Sequence, residues 1–452
     1  MSHAAPPFDS GSGLDFLPGS KSGLPSYEGY PTADRFVEAF QQAAYEAWVA
    51  KRSVGPGNRP LTLSLHIPFL GSPNLHREHE EQTLDRQCAA EDYLAYLSKE
   101  IALRADALQY DCALESMHWD IGMPDVLRAE NLRQLMRTAR EHFELKHACG
   151  QSVGLAKGGC DPQLITVLAD MGFTRLELSI DEERSALALS EVIGIARHHG
   201  FLSVGVDVKY GRRSQTLMQF NATLADIVAM APDRIFLRDP GKYPMVARDA
   251  TYGNEAQKLE TRVDMFKLAT LRLVAAGYTL LGADAFCKPD DELAIAQRRG
   301  RLSLSLEGHT THANCDLLAC GVGQVGSIGP TYSQNWRALK NYYADLDREA
   351  LPIERGLELS ADDLLRRTVI QALLCHCEMC VETLETAYLI DFASYFAPEV
   401  KELKQLERHG LVRLDDNWVV VTPNGRPLLG SICALFDRYL RAEGRTLDTM
   451  LT

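Results

Sequence analysis

The sequence has no excess of positive charge and no long hydrophobic run. Its formal net charge is −14, with 47 Lys and Arg against 61 Asp and Glu. A chain this acidic opposes nonspecific binding to nucleic acid or anionic lipid, although it still allows a local basic patch. No apolar run approaches the roughly 20 residues of a membrane span, and the first residues lack the basic and then apolar pattern of a signal peptide. These absences favour a cytoplasmic protein with neither a nucleic-acid nor a membrane partner.

Cysteines are scattered, and none lies between Pro68 and Glu81. The chain has 11 cysteines, an odd number that suits a reducing compartment better than a disulfide framework. Its 452 residues permit one large domain with a smaller one, or three small domains, and 46% hydrophobic residues suffice for a full core. The composition therefore indicates a globular protein.

The stretch from Leu61 to Glu81 begins as a strand and ends as a loop. Leucines alternate with Thr and Ser at its start, which predicts a strand that leads into His66-Ile-Pro-Phe and then a polar loop. The loop carries His76 and His79. Exposed loop histidines are usually solvated side chains, and the alternative is a ligand role.

From residue 34 onward, amphipathic helices alternate with short apolar strands. Helices are predicted at 34–52, 90–108, 126–143, 161–171, 186–199, 215–230 and 255–276. Strands are predicted at 61–66, 114–119, 150–155, 174–180, 202–208, 233–238 and 278–282. This alternation indicates a parallel sheet with right-handed crossovers, although periodicity alone does not separate an open sheet from a barrel.

Long motifs in the second half of the chain are similar to those of one enzyme family. Gly282 to Gln297 reads GADAFCKPDDELAIAQ, against a family pattern of GMDHFARPDDELAVAQ. Other matching segments are His66 to Phe69, Gly308 to Leu318, Gly321 to Gly323, Ile328 to Gly329 and Tyr332 to Asn335. From residue 27 to about residue 445, the chain resembles the oxygen-independent coproporphyrinogen III oxidases, which are radical S-adenosylmethionine (SAM) enzymes.

The resemblance implies an α/β fold, namely a partial (β/α)6 radical-SAM-type barrel with a mainly helical C-terminal cap domain. The implied domains are an N-terminal leader and anchor at 1–33, the barrel at 34–345 and the cap at 346–452. In such a barrel the active site lies at the C-terminal strand ends. The pattern around Trp418 to Gly425 is also compatible with a DNA-binding winged helix, which the acidic chain disfavours.

The family's [4Fe–4S] cluster has no ligands in this sequence. In the family, HIPF is followed at once by C-x3-C-x2-C-x-C, and those four places hold Leu70, Asn74, Arg77 and His79. Such a cluster needs three thiolates and leaves one iron open for SAM. Leu cannot ligate iron, Arg is a fixed cation that repels it, and Asn is a poor ligand for a soft site. We therefore predict that no cluster is bound.

The positions that the resemblance assigns to SAM are altered as well. The family's G-G-G-T-P turn, whose backbone receives the SAM amino group, keeps Gly122 and Pro124 but has Asp120 and Ile121 in place of glycines. These side chains restrict the close backbone approach that glycine permits. A Glu expected to contact SAM falls on Gly154, and a Gln falls on Asp181 in the next strand end. A Gln that lines the second SAM site falls on His312.

Some cofactor positions nevertheless match the family. The ones we assign to cofactor binding are His66, Gly122, Pro124, Asp207, His312 and Ile328. Tyr27 and Tyr30 match a segment that lies near the substrate opening in the family. They are either porphyrin contacts or an aromatic anchor for the N-terminal segment.

The segment Cys375-His-Cys-Glu-Met-Cys380 has the spacing of a metal motif. It follows the apolar run from Leu364 without a helix breaker, so we predict that it lies on a helix. On a helix, Cys377 and Cys380 share a face and Cys375 points elsewhere. Core cysteines are therefore favoured over a metal site.

The missing ligands and the altered SAM positions predict a catalytically degenerate relative of the oxidases that binds a porphyrin or haem without radical chemistry. The alternative is an oxidative decarboxylase that converts coproporphyrinogen III to protoporphyrinogen IX with an altered cofactor site, so enzyme activity is left open. If iron-containing haem binds, the candidate ligands are His76, His79 and His312. We expect a monomer that takes a tetrapyrrole and binds neither a [4Fe–4S] cluster nor SAM.

Overall fold

A computed structural model describes most of the chain. The described residues are 24–27, 29–52, 59–68, 83–109, 111–122, 124, 127–155, 161–179, 186–239, 242–244 and 258–444. Sequence predictions that fall outside these ranges are those for most of the leader and for Leu70, Asn74, His76, Arg77, His79 and Asp181.

The strands and helices have the following bounds. The strands are β1 Leu24–Ser26, β2 Leu61–Ile67, β3 Ala113–Ile121, β4 Glu144–Leu155, β5 Arg175–Ser179, β6 Ser203–Lys209, β7 Arg234–Arg238, β8 Lys242–Pro244, β9 Thr279–Leu281, β10 Ala285–Cys287, β11 Ser303–Ser305, β12 Gly308–Thr310, β13 Asp316–Cys320, β14 Val325–Ile328, β15 Thr331–Asn335, β16 Ile353–Glu358, β17 Glu378–Cys380, β18 Val412–Asp415 and β19 Trp418–Val421. The α-helices are α1 Gln42–Arg52, α2 Thr83–Leu108, α3 Ala129–His142, α4 Pro162–Asp170, α5 Ala186–His198, α6 Leu217–Met230, α7 Leu259–Ala275, α8 Glu292–Arg298, α9 Leu339–Leu346, α10 Ala361–His376, α11 Val381–Tyr388, α12 Phe392–Tyr395, α13 Ala397–Arg408, α14 Leu429–Ala434 and α15 Arg438–Ala442.

The chain forms two compact units, each built from separate stretches of sequence. The first unit comprises Met1–Asp34, Val208–Ala313 and Ser360–Thr452, and the second comprises Arg35–Asp207 and Asn314–Leu359. The predicted domains at 1–33, 34–345 and 346–452 are continuous stretches, so their boundaries differ from those of the compact units. Within the described residues, no helix is both long and apolar enough to cross a membrane.

The second unit is built on parallel strands. Its strand order is β16-β15-β14-β13-β2-β3-β4-β5-β6, and the strands from β13 to β6 in this order run parallel to their neighbours. Helices follow β2 to β5 along the chain, as the alternation predicted. The side chains of Leu63, Trp119 and Val153 on one face of these strands are fully buried. The predicted parallel α/β core is confirmed.

The first unit contains the C-terminal domain. Strands β17, β19 and β18 form a small antiparallel sheet, and helices α10 to α15 surround a common apolar core. A capping box starts α10, since the Ser360 hydroxyl accepts a hydrogen bond from the Asp363 amide and the Asp363 carboxylate accepts one from the Ser360 amide. Tyr27 and Tyr30 from the N-terminal segment belong to the same core.

The predicted helix at 34–52 starts later than expected, because α1 begins at Gln42. Val37 instead pairs with Gly356 in an antiparallel bridge, with a hydrogen bond of 2.8 Å from the Val37 amide to the Gly356 carbonyl. Phe36 stacks on Tyr332 at a centroid distance of 5.7 Å. Pairing with a strand edge in the same unit competes successfully with helix formation here.

The prediction that Cys375, Cys377 and Cys380 lie on one helix is wrong. Helix α10 ends at His376, and Cys377 is its C-cap with a left-handed φ of 55°. Cys380 then ends β17, opposite Trp418 of β19. The favoured interpretation as core cysteines stands for Cys375 and Cys377, whose side chains are buried.

Candidate functional site

The parallel strands of the second unit alternate between an apolar and a polar face. Residues in register on neighbouring parallel strands point to the same face of a sheet. The half-buried positions on the polar face, in strand order, are His66 on β2, His118 and Asp120 on β3, Ser152 and Gly154 on β4, Arg175, Glu177 and Ser179 on β5, and Asp207 on β6. Polar side chains at the C-terminal ends of parallel strands are the usual place for a ligand site.

His66 and Asp120 form a hydrogen-bonded pair at these strand ends. They are in register on β2 and β3, and the imidazole Nδ1 lies 2.8 Å from the Asp120 carboxylate. Their side chains are 22% and 46% exposed, so solvent reaches both. The carboxylate fixes the orientation of the ring, with Nδ1 carrying the proton and Nε2 on the opposite side.

A second imidazole, that of His118, lies two residues before Asp120 on the same face of β3. His118 is in register with Ser152, and its Nδ1 lies 2.8 Å from the serine hydroxyl. Gly154 on β4 lies beside both Asp120 and His118 and has no side chain to fill the space next to them. A Cβ at Gly154 would lie 3.7 Å from a carboxylate oxygen of Asp120 and 3.8 Å from Nε2 of His118.

The charges in this cluster keep Asp120 ionised. Burial acts to raise the pKa of Asp120, but the hydrogen bond from His66 and the electrostatic interactions with His66 and His118 outweigh it and hold the pKa below its ordinary value. The carboxylate is therefore an anion near neutral pH and accepts the Nδ1 proton of His66.

Buried groups behind β2 hold the backbone of His66 in place. The Tyr93 hydroxyl donates to the His66 carbonyl at 2.8 Å and accepts a hydrogen bond from the Val322 amide at 3.0 Å. Gly321 packs against the same carbonyl, since a Cβ there would lie 2.6 Å from it. The Gly321 amide in turn donates to the buried carboxylate of Glu100 at 2.8 Å. These contacts make His66 a rigidly positioned side chain.

The remaining predicted cofactor positions of the second unit occupy several elements. Gly122 donates its amide to the Ile67 carbonyl at 2.8 Å, and its missing Cβ would lie 3.0 Å from the Pro68 backbone. Pro124 is buried just beyond it. Asp207 lies on β6 in register with Ser179. Ile328 is buried at the end of β14, which runs antiparallel to β13.

In the first unit, His312 follows β12 and is half-buried, and its amide donates to the Thr310 hydroxyl at 3.0 Å. Tyr27 is buried and donates its hydroxyl to Asp437 at 3.0 Å, and burial together with that carboxylate raises the pKa of Tyr27 well above its usual value. The Tyr30 hydroxyl accepts the Arg438 amide at 3.2 Å. These are the contacts of an aromatic anchor, and porphyrin contact by the two tyrosines stays a prediction.

His118 and Ser152 were not among the residues predicted for the site. The alternation of polar residues at 64 and 66 and at 118 and 120, together with Ser152, was visible in the sequence and indicates a shared polar face. Which of these side chains bond to one another depends on strand order and register. Within the described residues, no group of three or more His, Cys, Asp or Glu side chains could hold a metal ion.

Comparison with known proteins gives consistent matches over nearly the whole chain. The oxygen-independent coproporphyrinogen III oxidase of Pseudomonas aeruginosa is 34% identical over 93% of this chain and 94% of its own length. The oxidase of Escherichia coli K12 is 32% identical over 93% and 94%. The family model of the HemN C-terminal domain matches residues 359–428.

A solved structure agrees with these matches. The coproporphyrinogen III oxidase HemN of Escherichia coli, described as a radical SAM enzyme, superposes with a TM-score of 0.82 at 31% identity and covers 92% of this chain and 97% of that one. The predicted fold class, a partial (β/α)6 barrel of the radical SAM type with a mainly helical C-terminal domain, is confirmed by this match. The chain belongs to the oxygen-independent coproporphyrinogen III oxidase family.

Proposed function

We propose that this member of the family binds a tetrapyrrole and has lost the cluster and SAM chemistry of its relatives. The observation that carries the proposal is the His66–Asp120 pair, because Asp120 brings a charged side chain to a strand end where the family pattern has glycine. The fold is kept while this position has changed its chemistry.

The side chains available do not fit a [4Fe–4S] cluster. The four family ligand positions hold Leu70, Asn74, Arg77 and His79, and no cysteine lies in the loop from 69 to 82. A cluster of this type requires three thiolates. No reaction step that needs a cluster follows from these residues.

The strand ends also fit SAM poorly. The carboxylate expected at position 154 is missing, and the Asp120 carboxylate is engaged with His66 beside Gly154. A ligand amino group would have to share that carboxylate with His66, which already occupies Oδ2. We therefore propose that SAM binds in the millimolar range or not at all.

A tetrapyrrole ligand is supported by the family and by what the chain retains. Relatives of similar length are named as oxidases of coproporphyrinogen III. The matching motifs between Gly282 and Asn335 and the matching C-terminal domain persist in this chain. We also propose that the protein is a cytoplasmic monomer, in keeping with the buried Cys320, Cys375 and Cys433, none of which forms a disulfide.

The second candidate function is oxidative decarboxylation of coproporphyrinogen III with an altered cofactor site. It is favoured by the extent of the family match, with 34% identity over 93% of the chain. In this function the chain would need a cofactor arrangement that replaces the thiolates.

Two titrations of the full-length protein separate these functions. Coproporphyrin III is titrated while absorbance is followed, and SAM is titrated by calorimetry. We expect saturable porphyrin binding and SAM binding no tighter than millimolar. A micromolar dissociation constant for SAM would favour the enzyme, and the absence of saturable porphyrin binding would remove the tetrapyrrole proposal.

A further inference from the structure

His66 is oriented as histidines that ligate metal ions are. A ligating imidazole nearly always donates its second ring N–H to a carboxylate or carbonyl, which fixes the tautomer and raises the basicity of the ligating nitrogen. His66 makes this donation to Asp120 at 2.8 Å. Within the described part of the chain, Nδ1 is the only ring atom of His66 with a hydrogen-bond partner. The Nε2 lone pair is therefore left for a ligand.

The number of protein ligands restricts the kind of metal site. The described residues contain no group of three or more side chains that could hold a bare metal ion. A metalloporphyrin differs, because the macrocycle supplies four nitrogens and the protein needs to add only one axial ligand. One well-oriented imidazole satisfies this requirement.

The surroundings of His66 provide rigidity and space. Its carbonyl is held from behind by Tyr93 at 2.8 Å and faces Gly321, where any larger residue would collide with it. On the other side, Gly154 places no side chain against Asp120 and His118, with which an added Cβ would be in van der Waals contact. His66 therefore keeps one position, and among the described residues Gly154 contributes no side chain beside the His66–Asp120 pair.

We propose that His66 is an axial ligand to the iron of a bound haem through Nε2, with Asp120 as the carboxylate that positions and polarises it. This assignment rests on the proposed tetrapyrrole function and makes it more specific. It adds His66 to the candidates His76, His79 and His312. Asp120 is a positioning residue, since it acts on the iron through the imidazole.

The test uses the full-length protein titrated separately with ferric haem and with metal-free coproporphyrin III. His66→Ala should weaken haem binding roughly tenfold or more and remove the spectrum of imidazole-ligated iron, while coproporphyrin III binding is retained. Added free imidazole should restore the ligated spectrum in His66→Ala, which shows that the variant is folded and lacks only the ligand. His199→Ala is the matched control, because the His199 ring forms its hydrogen bond with Thr166, away from the polar strand ends.

Asp120→Asn tests the positioning role with a readout that simple destabilisation would not change. The variant should still bind haem, but the iron–histidine stretching frequency of the ferrous form should fall and its reduction potential should rise, because a neutral amide polarises the imidazole less. Asp347→Asn is the matched control, since Asp347 pairs with Lys99 on an exposed surface. An unchanged frequency and potential in Asp120→Asn would overturn the role of Asp120.

The outcomes separate this inference from the proposed function. If neither haem nor coproporphyrin III binds saturably, the tetrapyrrole function itself fails. If both bind and iron ligation survives in His66→Ala, the assignment of His66 is overturned while tetrapyrrole binding stands. Loss of ligation in His118→Ala, His76→Ala, His79→Ala or His312→Ala, with His66→Ala unaffected, would also overturn it and identify the ligand.

Discussion

We propose that the motif around Gly282 in the first unit keeps the family pattern, whereas the strand ends around Asp120 in the second unit have changed. Gly282 is kept, has a left-handed φ of 52°, and a Cβ there would overlap the carbonyl oxygen of Leu374. At the strand ends, by contrast, Asp120 stands where the family pattern has glycine and Gly154 stands where it has glutamate. In this proposal, residues required by the backbone persist and residues expected to touch a cofactor have changed.

The same contrast occurs within the altered segment itself. Gly122 is kept, and a Cβ at this position would lie 3.0 Å from the Pro68 backbone. Asp120, two residues earlier, has room for its side chain beside Gly154. The polar strand ends can therefore change their chemistry without disturbing the fold.

The largest effect is expected at Gly282. Gly282→Ala should destabilise the protein by about 2–4 kcal/mol, because it combines an unfavourable φ with a backbone collision. Gly300 is the matched control, since it has a φ of 64° and a Cβ added there would meet no atom within 4 Å. Gly300→Ala should cost about 1–2 kcal/mol from backbone strain alone. Equal losses of unfolding free energy in Gly282→Ala and Gly300→Ala, measured by denaturant unfolding, would show that the backbone collision at Gly282 adds nothing to the strain.

Much of the fold followed from local pattern. The alternating leucines predicted the strand that is observed as Leu61–Ile67, and the helix predicted at 126–143 is observed as Ala129–His142. The early start predicted for the first helix failed, because Val37 pairs with Gly356 from a distant part of the sequence. Helical propensity does not report such a contact.

The site was predictable only in part. The sequence identified His66 as a position that matches the family and Asp120 as an altered one, but their hydrogen bond joins positions 54 residues apart and depends on strand register. The prediction of one helix through Cys375, Cys377 and Cys380 failed for another reason. Cys377 adopts a left-handed conformation that ends the helix, and no glycine or proline marks this break in the sequence.

The next-largest effect is expected at Cys375 and tests whether the cysteines at 375–380 are core residues of the fold. Cys375 is buried among apolar side chains, and burial raises its pKa to about 12. Cys375→Ser should cost about 1–3 kcal/mol, because the hydroxyl would be buried in an apolar cluster. Cys380→Ser, at a half-buried position, should cost about 0.5 kcal/mol or less. Bound zinc or iron that is lost in both variants would contradict the core interpretation.

A smaller effect is expected when the family carboxylate is restored. Gly154→Glu places a second carboxylate beside Asp120 and should destabilise the protein by about 1 kcal/mol near neutral pH through like-charge repulsion. Combining it with Asp120→Gly should remove most of that loss. A double-mutant cycle measures the coupling, and additive effects would show that the two positions do not share one space.

The smallest effect concerns acid stability. The pKa of Asp120 is lowered in the folded protein, so its ionised form contributes stability above the ordinary Asp pKa, and this contribution is lost as pH falls through the folded value. Asp120→Asn should therefore flatten the dependence of the unfolding free energy on pH at pH values below the ordinary Asp pKa. In a His66→Gln background the same substitution should change the profile less, because the imidazole partner is already absent. An equal change in both backgrounds would show that His66 does not set the pKa.

Anaerobic iron–sulfur reconstitution of the full-length protein tests the loss of cluster chemistry most directly. Iron, sulfide and the visible absorption spectrum are measured after unbound reagents are removed. We predict no stoichiometric iron or sulfide and no cluster absorption, because the family ligand positions supply no thiolate. Stoichiometric iron and sulfide that persist when Cys375, Cys377 and Cys380 are all changed to Ser would contradict this loss.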